Sequence, residues 1–193
     1  MSNTRAVWFF VLGLTAIRLT LLGTNDLTFD EAHYWMWSER LAPSYFSKGP
    51  GIAFAIRAST ALFGPTEFGV RFWSPLLGAG TSLLIYYFTR RLFNATAGFW
   101  AVVAINAIPL FHVGNALMTI DPLSIFFWTA AMFTFWLALE RSPNFSWYCK
   151  NFLMNLFSIF DQDFRLQVKY DKPADIHFQK KQDQHVNSFY LFC

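Results

Sequence analysis

Apolar residues fall into long runs along the chain, separated by short polar stretches. Ala6 to Leu22 is apolar except for Arg18 and two threonines. Three further runs follow: FWSPLLGAGTSLLIYYFT from Phe72 to Thr89, ATAGFWAVVAINAIPLFHV from Ala95 to Val113, and PLSIFFWTAAMFTFWLAL from Pro122 to Leu139. Each approaches the roughly 17–25 residues that a helix needs to cross a hydrocarbon core. Pro75 and Pro109 lie inside two of these runs, and proline is commoner in membrane helices than in soluble ones. Gly51 to Gly64, GIAFAIRASTALFG, is shorter and carries Arg57 at its centre. A central Arg costs about 2.5–3.5 kcal/mol on insertion scales. Positions 52, 55, 56, 59, 62 and 63 recur at helical spacing, which predicts an amphipathic helix lying at the interface. DEAHYWMWSERLA, from Asp30 to Ala42, predicts a second one. The pattern therefore predicts an all-α membrane protein, with four transmembrane helices and two interfacial helices in the loop after the first span.

Charge placement orients these elements. Arg5 precedes the first span, Arg90 and Arg91 follow the second, and Arg141 and Lys150 follow the fourth. With four crossings all of them lie on one side, which the positive-inside rule makes cytoplasmic. A crossing by Gly51–Gly64 would move Arg90 and Arg91 outside. The expected topology is thus a multi-pass inner-membrane protein with a cytoplasmic N-terminus. Its loop from about Thr24 to Gly69 is extracytoplasmic, and the connection Gly114 to Asp121 lies on the same side. No small-x-small cleavage site follows the first run, where Gly23-Thr24-Asn25-Asp26 forms a turn-like stretch, so the run is expected to be a retained anchor.

Composition agrees with lipid as the solvent. The 193 residues are 54% hydrophobic, 20% aromatic and 14% charged, against the roughly 25% charged residues of a soluble domain. A net charge of +3, with no basic run or glycine-rich RNA-binding signature, argues against nucleic acid as a partner. Cys149 and Cys193 form no CxxC and have no neighbouring metal-ligand set. The sequons Asn94-Ala95-Thr96 and Asn144-Phe145-Ser146 fall on the cytoplasmic side.

The candidate chemistry gathers on the outer edge. Thr28-Phe29-Asp30-Glu31 matches a capping box, with Thr28 as N-cap and Glu31 at N3, so Glu31 has a structural account as well as a chemical one. Asp30 lies in the first turn, where the helix dipole favours a negative charge. Lys48, in SYFSKGPG, is the only lysine before residue 150, although a loop lysine is usually just solvated. Asp121 before Pro122 reads as an N-cap with Pro at N1. Arg18 belongs with the membrane-edge charges that are functional candidates by default, or it snorkels. His33 offers polar contacts or faces the headgroups. As a set, these groups suit sugar transfer from a lipid-linked anionic donor to a hydroxyl or amine. A carboxylate takes the acceptor proton, and a cation neutralises charge growing on the phosphate leaving group. Adjacent carboxylates are too weak a signal to assign a metal, and no cofactor is legible.

DEAHYW, SYFSKGPG, LFGPTEFGVRFWSPLLGAG, YYFTRRLFNATAGFWA and LMTIDPLSIFFW occur in this order. Together they resemble the N-terminal part of the dolichyl-phosphate-mannose protein mannosyltransferase-like and aminoarabinose transferase-like glycosyltransferases of the GT-C membrane class, over roughly residues 5 to 142. The resemblance implies a partial GT-C fold, a polyprenyl-phosphate-linked sugar as donor, and an active site that includes the first extracytoplasmic loop. It implies Asp30 as catalytic carboxylate with Glu31 beside it. It also implies substrate-binding roles for Lys48 near the donor phosphate, for Arg71, for Asp121 and for His33. Lys48-Gly49-Pro50-Gly51 stands where many relatives have Pro-Pro. The acceptor is not legible.

Residues 143–193 depart from this pattern. All ten glycines occur by residue 114. Cations before residue 143 are eight Arg and one Lys, and afterwards one Arg and five Lys. The expected organisation is a truncated glycosyltransferase region at 1–142, with half of the donor cavity missing and activity reduced or absent, followed by an irregular tail. A frameshift or out-of-frame end is the expected origin of the break. An intact family reading frame resuming downstream would support that origin, and its absence would count against it. A non-enzymatic membrane scaffold or remnant is the alternative reading. A transporter is disfavoured because the charges cluster on one edge, not through the bilayer.

Overall fold

The computed structural model describes residues 3–43, 45 and 48–141. The expected irregular tail, with Lys150, both cysteines and the Asn144 sequon, lies outside the described residues. Among those described, every regular element is a helix: α1 (Asn3–Leu21), α2 (Phe29–Glu39), α3 (Gly51–Phe63), α4 (Glu67–Arg71), α5 (Trp73–Leu92), α6 (Ala95–Ala107), α7 (Pro109–Gly114) and α8 (Ile120–Arg141). α5 is central and packs against α1, α6 and α8, while α2 lies on α3 and α3 on α4.

Hydrogen bonds gather the helix termini at two ends. At one, Asn3 Nδ2 donates to Thr96 Oγ1 at 2.8 Å, Thr4 Oγ1 and Tyr86 OH are 2.8 Å apart, and Arg91 Nη2 donates to Glu140 Oε2 at 2.7 Å. This joins the starts of α1 and α6 to the ends of α5 and α8. At the other end, the Ser74 hydroxyl meets the carbonyls of Gly114 and Leu117 at 2.9 and 2.7 Å. The start of α5 thereby holds the α7–α8 connection. α1, α5, α6–α7 and α8 therefore alternate in direction.

Two helices are long and apolar enough to cross a membrane, Asn3–Leu21 and the Ile120–Leu137 stretch of α8, while α3 and α6 are shorter apolar helices. Four crossings are thus the expectation from sequence, and length with apolarity supports two. The expected third span, Ala95–Val113, is broken. Ile108 is extended (φ −69°, ψ 120°) and Pro109 begins α7. The proline ring disfavours helical geometry in the residue before it, so Pro109 ends α6 where the apolar pattern alone runs on. The Asn94 sequon asparagine caps α6, its side chain accepting from Ala97 N at 2.8 Å. The first loop holds three helices instead of the expected two, because Thr66 caps the short α4 by accepting from Gly69 N at 3.1 Å. α3 buries Ile52, Ala53, Ile56, Ser59 and Thr60, whereas Leu62 and Phe63, placed on the same stripe from sequence, are exposed with Phe54.

Two apolar clusters hold the fold. Tyr34, Ile52, Ile56, Val70, Met118 and Leu123 unite α2, α3 and α4 with the entry to α8. Val7, Val11, Tyr86 and Val102 unite α1, α5 and α6. The outer surface of α1, α6 and α8 exposes Phe9, Leu12, Ile17, Trp100 and Trp128, which suits hydrocarbon better than water.

Close approach in the second cluster depends on Gly98. A Cβ there would lie 2.9 Å from Tyr86 Cδ2 and 3.0 Å from Tyr86 O, whereas one at Gly13 would meet nothing within 4 Å. Gly98→Ala is expected to destabilise the fold by about 1–3 kcal/mol through overpacking. Gly13→Ala should be neutral or stabilise by up to about 1 kcal/mol through helix propensity. Thermal unfolding of both variants in detergent checks the contrast.

Candidate functional site

The site is organised by two charged side chains far apart in sequence. Glu31 is 0% exposed and Arg71 3%. Arg71 Nε donates to Glu31 Oε1 at 2.8 Å and Nη2 to Oε2 at 2.7 Å, a two-pronged pair. Arg71 Nη1 donates to the carbonyls of Leu22 and Asn25 at 2.9 and 2.8 Å, and Nη2 also donates to that of Asp26 at 2.8 Å. All five guanidinium N–H groups therefore have protein acceptors. Glu31 also accepts from Thr28 N at 2.9 Å, Thr28 Oγ1 at 3.0 Å and Met118 N at 2.9 Å.

Local sequence explains how each partner arrives. Thr28 is the extended N-cap of α2, and Glu31 at N3 reaches back to its N–H as the capping box requires. Arg71 ends α4, whose start is fixed by the Thr66 cap. Its guanidinium then binds the carbonyls of the turn after α1. One ion pair thus ties the end of α1, the start of α2, the α4–α5 junction and the entry to α8.

Burial pushes the Glu31 carboxyl up. The Arg71 hydrogen bonds, the N–H groups of Thr28 and Met118 and the Arg71 charge together outweigh it, and leave the group below its ordinary 4.5. The Glu31 hydrogen bond raises Arg71, against the opposing effect of burial.

The remaining sequence candidates lie on α2, in the loop after it and in the first turn of α8. Asp30, one residue before Glu31, is exposed. His33 is half-buried, with its ring 4.5 Å from that of Trp37 at a steep angle and stacked at 6.4 Å on Phe29. These three residues, four apart, form an aromatic stripe along α2. His33 Nδ1 is buried without a hydrogen-bond partner. Lys48 is half-buried in a loop that folds back on α2: its carbonyl accepts from Tyr45 N at 3.3 Å. The Tyr45 ring stacks on Trp37 at 4.6 Å, and its hydroxyl meets the carbonyls of Trp37 and Arg40 at 2.9 and 3.0 Å. Asp121 is exposed and accepts from Thr119 Oγ1 at 3.2 Å. It lies inside the first turn of α8, which begins at Ile120, so the N-cap position expected for it falls earlier. The Met118 N–H on Glu31 brings Asp121, three residues on, to the end of the bundle where α2 begins.

Tyr45 and Met118 carry no chemical signal in the sequence. Tyr45 acts through its ring and hydroxyl on the carbonyls that end α2, and Met118 acts through its backbone. A tyrosine shortly after an aromatic helix end is the only hint, and no pattern points to an N–H.

Comparison with known proteins places these residues in a wider context. The family model described as dolichyl-phosphate-mannose-protein mannosyltransferase matches residues 47–158. Lys48, Arg71 and Asp121 fall inside that match, Asp30, Glu31 and His33 precede it, and it runs past residue 142. The chain is 29% identical over 142 residues to the lipid A galacturonosyltransferase RgtD of Rhizobium johnstonii (strain DSM 114642 / LMG 32736 / 3841), covering 72% of this chain and 30% of the relative. The chain thus spans about 30% of the length of this curated relative. No solved structure matches.

Glu31→Gln leaves Arg71 buried without a carboxylate in contact, which is expected to cost about 3–5 kcal/mol of stability. The Glu31 contribution is fully present above the ordinary carboxylate value and is lost as pH falls through the lowered one. Below about pH 4.3, wild-type stability should therefore decline more steeply than that of Glu31→Gln, and the gap between them should narrow. Chemical unfolding in detergent across the acid range measures both effects.

Proposed function

The chain belongs to the dolichyl-phosphate-mannose-protein mannosyltransferase family, whose model matches more than half of it, and on that premise we propose that it transfers a sugar from a polyprenyl-phosphate donor to an acceptor on the extracytoplasmic side. The observation that carries the reading is the division of labour within the Asp30–Glu31 pair. Glu31 is held by Arg71, Thr28 and Met118. Asp30, about 100° further round the same helix turn, is exposed. Glu31 and Arg71 are then positioning residues, and Asp30 is the carboxylate left for chemistry.

In the proposed reaction an acceptor hydroxyl or amine attacks the anomeric carbon of the donor sugar. Asp30 takes the acceptor proton as the new glycosidic bond forms. The bond from that carbon to the phosphate oxygen breaks, and the polyprenyl phosphate leaves with the electron pair. Lys48 stabilises the charge growing on the departing phosphate, while His33, on the aromatic stripe of α2, and Asp121 contact the sugar. The stripe suits sugar faces and the isoprenoid chain. The name of the relative makes lipid A the first acceptor to try and galacturonate the first sugar. The short gap between the α2 entry and the α8 entry, closed by Met118 N on Glu31, supports grouping Asp30 with Asp121. The clustering of Arg5, Arg90, Arg91 and Arg141 at the opposite end supports a cytoplasmic N-terminus with four crossings.

Membranes carrying the full chain, supplied with polyprenyl-phosphate sugars and lipid A, test the reaction. Asp30→Asn should lower transfer about 10²–10⁴-fold at a stability cost of no more than about 1 kcal/mol, whereas Glu31→Gln should lose several times that. Absence of transfer from a well-folded wild type favours a non-enzymatic membrane scaffold. Sidedness has a separate test: Asn25→Cys, with Cys149 and Cys193 replaced by Ser, should react in intact spheroplasts with an impermeant thiol reagent. Labelling only after lysis overturns the orientation.

A further inference from the structure

Three charged side chains are buried among the described residues: Arg18, Glu31 and Arg71. Two of them neutralise each other. Arg18 has no carboxylate partner among the described residues, yet it is only 5% exposed, so it turns into the bundle and does not snorkel. It lies on the last turn of α1. Its Nη2 donates to Asn106 Oδ1 at 3.3 Å and to His112 Nδ1 at 3.1 Å. Its Nε is buried and has no partner.

The holder is built from several elements. Asn106 Nδ2 donates to Ser82 Oγ and to Val102 O, both at 3.0 Å, and Ser82 Oγ donates to Gly78 O at 2.8 Å. This chain of bonds aims the Asn106 carbonyl at Arg18. A guanidinium only donates, so His112 Nδ1 accepts and the ring proton sits on Nε2. His112 is itself exposed and offers that N–H at the rim. α1, α5, α6 and α7 thus converge on one cation whose protein partners are all neutral. A buried cation without a counter-charge is costly, and a guanidinium with an unused donor matches phosphate oxygens.

The surroundings limit what can bring that anion. Ile17 and Leu21 flank Arg18 on α1, while Ile108, Leu110 and Val113 flank His112, and all five are exposed. An anion that reaches Arg18 across this apolar rim arrives attached to hydrocarbon. We infer that Arg18 and His112 form a binding site for the phosphate of a membrane amphiphile, between α1 and α7, built from none of the residues assigned to the proposed reaction. The inference does not depend on the proposed reaction.

Native mass spectrometry of the full chain in a neutral detergent tests it. The probes are dioctanoyl phosphatidic acid, dioctanoylglycerol, a short prenyl phosphate and inorganic phosphate. At least one phosphate lipid should bind the wild type, dioctanoylglycerol should not, and Arg18→Gln should weaken binding about tenfold or more. Arg18→Lys should retain part of it. Preference for phosphatidic acid assigns the site to bilayer phospholipid, and preference for prenyl phosphate assigns it to the isoprenoid carrier. Equal binding by wild type and Arg18→Gln, equal binding of dioctanoylglycerol, or inorganic phosphate binding as tightly as either lipid would overturn the inference. Circular dichroism checks that Arg18→Gln folds. Should it not, His112→Phe on the exposed rim decides: weakened phosphate-lipid binding supports the site, and unchanged binding overturns it.

Discussion

Glu31 and Arg71 meet in a buried, two-pronged ion pair, and four segments of the chain end on it. The turn after α1 supplies carbonyls, the α2 N-cap supplies an N–H and a hydroxyl, α4 supplies the cation, and the α8 entry supplies the Met118 N–H. Two buried charges are tolerable only when each lone pair and N–H finds a partner, and here the guanidinium is saturated. The constraint is mutual. A shift in any one segment leaves a buried polar group without a partner, so the segments move together or not at all. Neighbouring groups then inherit fixed positions: Asp30 on the next helical step, His33 a turn further, and Asp121 three residues beyond Met118.

A second polar centre follows a different logic. Arg18, Asn106, Ser82 and His112 link α1, α5, α6 and α7 through neutral partners, so the buried charge stays uncompensated. The first centre is complete within the chain, and the second is complete only with an anion from outside. Both lie where the helix ends of the first loop and of the α7–α8 connection gather, while the exposed arginines Arg90 and Arg91 stand at the other end. Among the described residues, the buried charges of this fold are therefore concentrated at one end of the bundle.

Much of this was legible in the sequence, for physical reasons. The Thr28–Glu31 capping box is a local pattern, and the structure contains its Glu31 half as expected. The runs that became α1, α5 and α8 follow from apolar length alone. The break at Pro109 was underestimated because the general tolerance of proline in membrane helices says nothing about a given site; Ile108 took the extended geometry that a following proline favours. The Arg71 partnership was not legible, because a contact across forty residues has no local signature. Nor was the inward turn of Arg18, since snorkelling and burial start from the same residue at the same helix end. The role of Met118 rests on its backbone, where side-chain identity is silent.

The most direct test of the central interaction is a double-mutant cycle on unfolding free energy in detergent, built from Glu31→Gln, Arg71→Met and the pair together. A saturated, buried ion pair predicts a coupling of roughly 2–3 kcal/mol, with the double variant less damaged than the sum of the single ones. Additive losses, with coupling near zero, would contradict the account, because Glu31 and Arg71 would then be stabilising the chain independently.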